Sequence, residues 1–149
     1  MIRIVIADDQ PSARVVVRHR LELEEDLAVV AEATDGSEAV AQVDETLPDI
    51  VVLDHRMPRK DGIQAARSIA RSHPDMAMVM LTAEGDAGLM AEAASVGIRG
   101  YVLKSEPPAR LVEAIRIVAG GGRRVPGGDA LLNLTTEQPQ PALGLRRSG

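Results

Sequence analysis

One stretch narrows the possible folds of this chain more than any other: Ile50-Val51-Val52-Leu53-Asp54, an unbroken apolar run that closes on a carboxylate. It is bounded by Pro48-Asp49 on one side and Met57-Pro58 on the other, so it reads as a short strand buried on both faces. Such a strand needs covering layers above and below it, which points to a sheet between helices. An acid at its carboxyl end lies where open α/β sheets place their ligands. A helix-capping Asp is the competing reading, but the residues that follow, His55-Arg56-Met57-Pro58-Arg59-Lys60-Asp61-Gly62, make a loop before a helix can begin. Asp54 is therefore the candidate reactive group.

The rest of the chain repeats the theme of strand followed by helix. Strands are predicted at Ile2 to Ala7, Leu27 to Ala33, Ile50 to Asp54, Ala77 to Leu81 and Gly100 to Leu103. Helices are predicted from Pro11 to about Leu23, Ser37 to Leu47, Gly62 to Ser72, Asp86 to Ser95 and Pro107 to Ala119. Pro11 suits a first helical turn, where its missing N–H costs nothing, and the third helix stops before His73-Pro74. The helix at 86–95 is weakly patterned, with Gly88 inside it, and is the segment expected to move most. Strand–helix alternation with short loops calls for right-handed crossovers and a parallel sheet.

Composition supports this architecture. Hydrophobic residues make up 45% of the 149 residues, yet Tyr101 is the sole aromatic, so the core must be aliphatic. That suits continuous parallel strands and argues against single-stranded nucleic acid, whose bases need aromatic platforms. Zero cysteines exclude disulfides, thiolate metal sites and cysteine nucleophiles. A net charge of −5 argues against a nucleic-acid surface over the whole domain. No signal peptide or membrane-spanning stretch is visible, so a cytoplasmic protein is expected. Residues 1–119 form the expected domain, and the Gly- and Pro-rich residues 120–149 read as a flexible tail or a truncated linker.

Four of the predicted strands end on groups with chemical use: Asp8-Asp9, Asp54, Thr82 and Lys104. In a parallel sheet these ends share one edge. Clustered carboxylates raise one another's pKa unless a cation joins them, and oxygen ligands without His or Cys select a hard ion, here Mg²⁺. A metal, a carboxylate, a Lys and a Thr together make a phosphoryl-transfer kit in which the carboxylate can form an acyl phosphate. Each part alone has an ordinary reading as well: helix capping for Asp8-Asp9, a solvated charge for Lys104, a strand-end hydroxyl for Thr82.

The pattern resembles the receiver domain of bacterial two-component response regulators. The resemblance rests on residues 4–9 (Ile-Val-Ile-Ala-Asp-Asp), 33–39 (Ala-Thr-Asp-Gly-Ser-Glu-Ala), 49–62, 80–83 (Met-Leu-Thr-Ala) and 100–104 (Gly-Tyr-Val-Leu-Lys). It implies a flavodoxin-like, doubly wound sheet of five parallel strands in the order 2-1-3-4-5, with helices on both faces. It implies that Asp54 is the phosphoacceptor and that Asp8, Asp9, Asp54 and the backbone carbonyl of Arg56 bind Mg²⁺. Thr82 and Lys104 would contact the phosphoryl group, with Thr82 and Tyr101 as switch residues; phosphorylation would draw Tyr101 inward. Arg56 and Glu84 would flank the mouth of the site as a gate. The implied partner is a sensor histidine kinase, and the implied role is a phosphorylated signalling switch that catalyses only its own phosphotransfer and slow dephosphorylation.

Residues 99–104 followed by Leu111-Val112-Glu113-Ala114-Ile115-Arg116 are most similar to receivers of LuxR-like transcription regulators. Homodimerisation through the first or fifth helix is possible on that resemblance, and transcription regulation would run through a further DNA-binding domain. Leu134-Thr135-Thr136-Glu137 is faintly similar to the start of such a domain, but Pro139 and Pro141 forbid a long helix there. The chain is thus either a stand-alone receiver or one ending within the linker. Two other classes stay open: an aspartyl-phosphate phosphohydrolase, disfavoured because no cap insertion is visible, and a pseudo-receiver, disfavoured because all five site positions are present.

Overall fold

The computed structural model describes residues 1–126. Five strands, β1 (Ile2–Ala7), β2 (Leu27–Ala33), β3 (Ile50–Leu53), β4 (Ala77–Thr82) and β5 (Gly100–Leu103), alternate with five helices. The helices are α1 (Pro11–Glu22), α2 (Gly36–Thr46), α3 (Gly62–Ser72), α4 (Ala87–Ser95) and α5 (Ala109–Ala119). All strand pairings are parallel and the order is β2-β1-β3-β4-β5, as expected of a flavodoxin-like receiver.

Period-two alternation divides the strand side chains between two helical layers. Val5, Val51, Leu53, Met78, Met80 and Tyr101 face α2, α3 and α4, where Val43, Ile69 and Met90 meet them. Ile4, Ile6, Ile50, Val52, Val79 and Val102 face α1 and α5, against Leu21, Leu111, Ile115 and Val118. All of β3 and β4 is buried, which is why β3 and residues 77–81 of β4 read as unbroken apolar runs.

Helix starts depart most from the sequence reading. Asp35 is the N-cap of α2, its carboxylate accepting from the Glu38 backbone N–H, and Gly36, one residue before the predicted start at Ser37, is the first helical residue. Asp86 likewise caps α4 rather than belonging to it. The fifth helix begins at Ala109, not Pro107, with Pro108 at the cap position.

The folded unit also runs past residue 119. Gly120 ends α5, and the chain then returns to the outer edge of β5, where Arg124 pairs with Gly100 in parallel. The rest of the expected tail, including residues 134–137, lies outside the described residues.

Candidate functional site

Each candidate side chain is delivered by a strand end at the same edge of the sheet. Asp8 and Asp9 follow β1, Asp54 follows β3, Thr82 ends β4 and Lys104 follows β5. Side-chain oxygens of Asp8, Asp9 and Asp54 all lie within 4.8 Å of one another. Asp8 and Asp54 are buried, while Asp9 faces outward. Thr82 is buried beside them in the strand order, and its backbone carbonyl accepts from the Lys104 N–H at 2.8 Å.

The carboxylates do not arrange themselves unaided. Asp54 prolongs the β3–β1 ladder, its N–H donating to the Ala7 carbonyl at 2.9 Å. The Gln10 N–H donates to Asp8 Oδ1 at 2.9 Å, and Arg14 Nη1 donates to the Asp8 carbonyl at 2.7 Å. The loop after Asp54 is clamped from below. The Gly62 N–H donates to the His55 carbonyl at 2.8 Å, and a Cβ on Gly62 would lie 2.3 Å from the Asp54 carbonyl oxygen. A Cβ on Gly36 would lie 2.2 Å from the Lys60 carbonyl oxygen, which accepts from the Gly36 N–H at 2.9 Å. Only glycine permits either approach.

Lys104 Nζ lies 2.9 Å from Asp8 Oδ2 and 3.0 Å from Asp54 Oδ2, bridging the two buried acids. Burial pushes the Asp54 carboxyl above its ordinary pKa and the Asp8 charge adds to the rise, while Lys104 works against both. Burial opposes the charge of Lys104 in turn, but its hydrogen bonds to Asp8 and Asp54 outweigh this and hold the ammonium above its usual range. The donor set is three carboxylates with no nitrogen or sulfur ligand, which fits a small hard cation.

Arg56 Nη2 donates to Glu84 Oε2 at 2.5 Å, joining the β3–α3 and β4–α4 loops. The Arg56 side chain is 79% exposed. His55 Nε2 approaches the other Glu84 oxygen at 3.9 Å. Tyr101 is already inside, 1% exposed, and its hydroxyl donates to the Glu84 carbonyl at 2.6 Å. The ring thus occupies the inner position in this structure. Burial and the Asp86 and Glu84 charges keep its phenol protonated well above the usual range.

Two arrangements escaped the sequence reading. Asp35, the buried cap of α2, accepts from Arg59 Nε at 2.7 Å and so ties α2 to the β3–α3 loop; Arg59 itself sits at φ 66°. Glu106 pairs with Arg124 at 2.6 Å. Arg124 lay in a stretch whose Gly-rich composition hid its role, and no motif marks Asp35 and Arg59 as partners.

The response regulator receiver domain model matches residues 4–116. The chain is 40% identical over 126 residues to the transcriptional regulatory protein LnrK of Bacillus subtilis (strain 168), covering 85% of this chain and 57% of that protein. It is 35% identical to the transcriptional regulatory protein DegU of Brevibacillus brevis, covering 81% of this chain and 51% of that one. It thus spans little more than half the length of these curated relatives. A two-component response regulator of the LuxR family from Aurantimonas sp. SI85-9A1 superposes with a TM-score of 0.84 at 34% identity, covering 93% of this chain and 98% of that one. Sheet order, edge chemistry and sequence likeness converge: this chain belongs to the response regulator receiver domains, the signalling switches of two-component systems.

Proposed function

We propose that Asp54 accepts a phosphoryl group from a sensor histidine kinase and that the resulting acyl phosphate changes the affinity of this domain for its partners. The observation that carries this reading is the Lys104 ammonium between Asp8 and Asp54, with three carboxylates gathered at one sheet edge. Asp8, Asp9, Asp54 and the Arg56 carbonyl would hold Mg²⁺, which when bound supplies positive charge against the phosphoryl oxygens.

In the transfer, a side-chain oxygen of Asp54 forms a bond to phosphorus as the phosphorus–nitrogen bond of the donor histidine breaks, its electron pair returning to the imidazole. Lys104 then balances charge on an equatorial oxygen and the Thr82 hydroxyl donates to another. Hydrolysis reverses the modification: water attacks phosphorus, the bond to Asp54 breaks, and carboxylate, inorganic phosphate and a proton are released. The Arg56–Glu84 pair, which joins the loops after β3 and β4, would stand over the approach of such a water.

Transcription regulation, by analogy with the curated relatives, is the output we assign to the longer protein of which such receivers form part, acting in the cytoplasm. Among the described residues no helix is long and apolar enough to cross a membrane. A second copy of this chain would pair through α1 or α5, where Val15 and Val16 are exposed beside a cleft lined by Val17, Leu103, Pro107 and Leu111. Light scattering that finds only monomer at high concentration, with and without phosphorylation, removes that pairing.

The test of the central reading is intact-mass analysis after incubation with acetyl phosphate and Mg²⁺. A single phosphoryl adduct that is lost in Asp54→Asn and without the metal is expected. Equal uptake by Asp54→Asn overturns the assignment. Release of phosphate in many turnovers without an adduct would instead favour a phosphohydrolase.

A further inference from the structure

The outer edge of β5 is occupied by the chain's own continuation. The Arg124 N–H donates to the Arg99 carbonyl at 2.9 Å, and the Tyr101 N–H donates to the Arg124 carbonyl at 2.8 Å. Backbone groups two residues apart face the same side of a strand, so the next outward donor is the Leu103 N–H. It is met by the carboxylate of Glu106 at 2.8 Å. The strap over residues 122–126 and the side chain of Glu106 thus share the strand edge that would otherwise be bare.

The two halves of this edge are joined. Arg124 Nη2 donates to Glu106 Oε1 at 2.6 Å, and Nη1 donates to Glu106 Oε2 and to the Tyr101 carbonyl, both at 3.1 Å. This is a two-pronged guanidinium–carboxylate pair, with both side chains less than one-fifth exposed. The Arg124 pair and burial pull the Glu106 carboxyl in opposite directions, and the pair prevails, holding its pKa below the usual value. Val125 packs into the layer that contains Tyr101, Met90 and Ile98.

Glu106 stands two residues beyond Lys104 and also closes the turn after β5, its N–H donating to the Leu103 carbonyl at 2.9 Å. The turn that launches Lys104 toward Asp8 and Asp54 is therefore pinned at its far side by a residue from beyond α5. The same strap touches the backbone of Tyr101 on both its N–H and its carbonyl.

We propose that Glu106 and Arg124 are positioning residues for Lys104, and that docking of the strap on β5 and binding of a phosphoryl group at Asp54 strengthen one another. The proposal rests on the phosphoacceptor reading of Asp54. Its logic is reciprocal: whatever the docked strap adds to phosphoryl affinity, the bound phosphoryl group must return as strap docking. The segment leaving the receiver would then carry the state of the site outward along the chain.

The experiment uses the full chain with Mg²⁺ and beryllofluoride as a phosphoryl mimic, reading affinity by calorimetry and backbone opening by amide hydrogen exchange. Arg124→Ala and Glu106→Ala are each expected to weaken beryllofluoride binding about fivefold or more. The exposed neighbour variant Arg123→Ala is expected to leave it unchanged, and the charge-swapped pair Glu106→Arg with Arg124→Glu to recover most of the loss. In the wild type, beryllofluoride should slow exchange at the amides of Tyr101, Leu103 and Arg124. Unchanged affinity in Arg124→Ala, or an equal loss in Arg123→Ala, overturns the coupling while leaving the site intact. Unchanged exchange at those three amides in the wild type overturns it even if a variant fails to fold. A wild type that does not bind the mimic at all rejects the phosphoacceptor reading, and the coupling with it.

Discussion

The loops after β3 and β4 leave adjacent strands at the same edge, yet they are built to opposite specifications. The β3–α3 loop is fixed from several directions: Gly62 against Asp54, Gly36 against Lys60, Arg59 on the buried Asp35, and a reciprocal capping box between Asp61 and Gln64. It leads into a helix that buries Gly62, Ile63, Ala65, Ala66 and Ile69. The β4–α4 loop is held by the Tyr101 hydroxyl, the Arg56 pair and a long contact of 3.4 Å from the Glu84 N–H to Thr82 Oγ1. Its helix has nine residues and buries only Met90 and Ala93. Few buried apolar contacts mean a low cost of local opening. On the phosphoacceptor reading, nucleophile and ion would need a fixed floor and a signal would need an element that can be re-set; this sheet edge sets a tightly held loop beside a loosely held one.

Four measurements test that contrast, beginning with the largest effect. Asp54→Asn should abolish phosphoryl uptake yet melt at a higher temperature than the wild type at neutral pH. The sign follows from the raised pKa of Asp54: the folded state holds the proton more tightly than the unfolded chain, so ionisation costs stability once the pH exceeds the folded value. Asn carries no such cost, and the gap should close as the pH falls through the carboxylate range. A thermal scan showing lower stability at neutral pH would mean that the lost contact with Lys104 outweighs burial.

Gly62→Ala attacks the fixed loop. Its methyl has no room against the Asp54 carbonyl oxygen, 2.3 Å away, and backbone must shift. A loss of about 1–3 kcal/mol in denaturant unfolding is expected, together with slower phosphorylation as Asp54 moves. The matching change on the pliant side has the opposite sign. Gly88 in α4 is exposed, and an added Cβ would meet only the Asp86 carboxylate at 3.3 Å. Gly88→Ala should therefore stabilise by up to about 0.5 kcal/mol through reduced chain entropy. If both glycines respond alike, the two loops do not differ as described.

The smallest effect is expected at the bridge between the loops. Arg56→Ala and Glu84→Ala should each leave folding stability nearly unchanged, because a pair with a largely solvated Arg56 side chain contributes little to the fold. Each should shorten the aspartyl-phosphate half-life by up to roughly fivefold, since a barrier change below about 1 kcal/mol is enough for that. The double variant should lose less than the two single effects combined. Additive effects, or a longer half-life in either single variant, would show that the pair does not guard the site.

The strands were legible in the sequence because burial writes them as aliphatic runs: Ile2–Ala7, Leu27–Ala33 and Gly100–Leu103 begin and end where the pattern places them, and Ile50–Leu53 stops one residue short of the predicted Asp54. The site candidates were legible for a related reason, since a polar residue at the end of such a run must emerge at the sheet edge. The helix starts were less so. Asp35 looks like a turn residue and Asp86 like the first residue of a helix, and only their hydrogen bonds to residues three positions on identify them as caps. The inner position of Tyr101 could not be read because a lone aromatic suits a packed core and a half-exposed switch equally well. Arg124 was hidden by its neighbours: Gly120-Gly121-Gly122 signals the end of a helix, and nothing in composition reveals that the next residues return to a strand edge. Local pattern reports burial well and reports long-range pairing of polar groups poorly.

The solitary ring at Tyr101 has a practical consequence. With no Trp and no Phe in the chain, all aromatic ultraviolet signal in this protein arises from one side chain, hydrogen-bonded and enclosed beside the candidate site. Near-ultraviolet circular dichroism and tyrosine emission are thus free of background from any other chromophore. The molecule carries its own single-point optical reporter, and a change in that signal can be assigned to one residue without labelling or mutation.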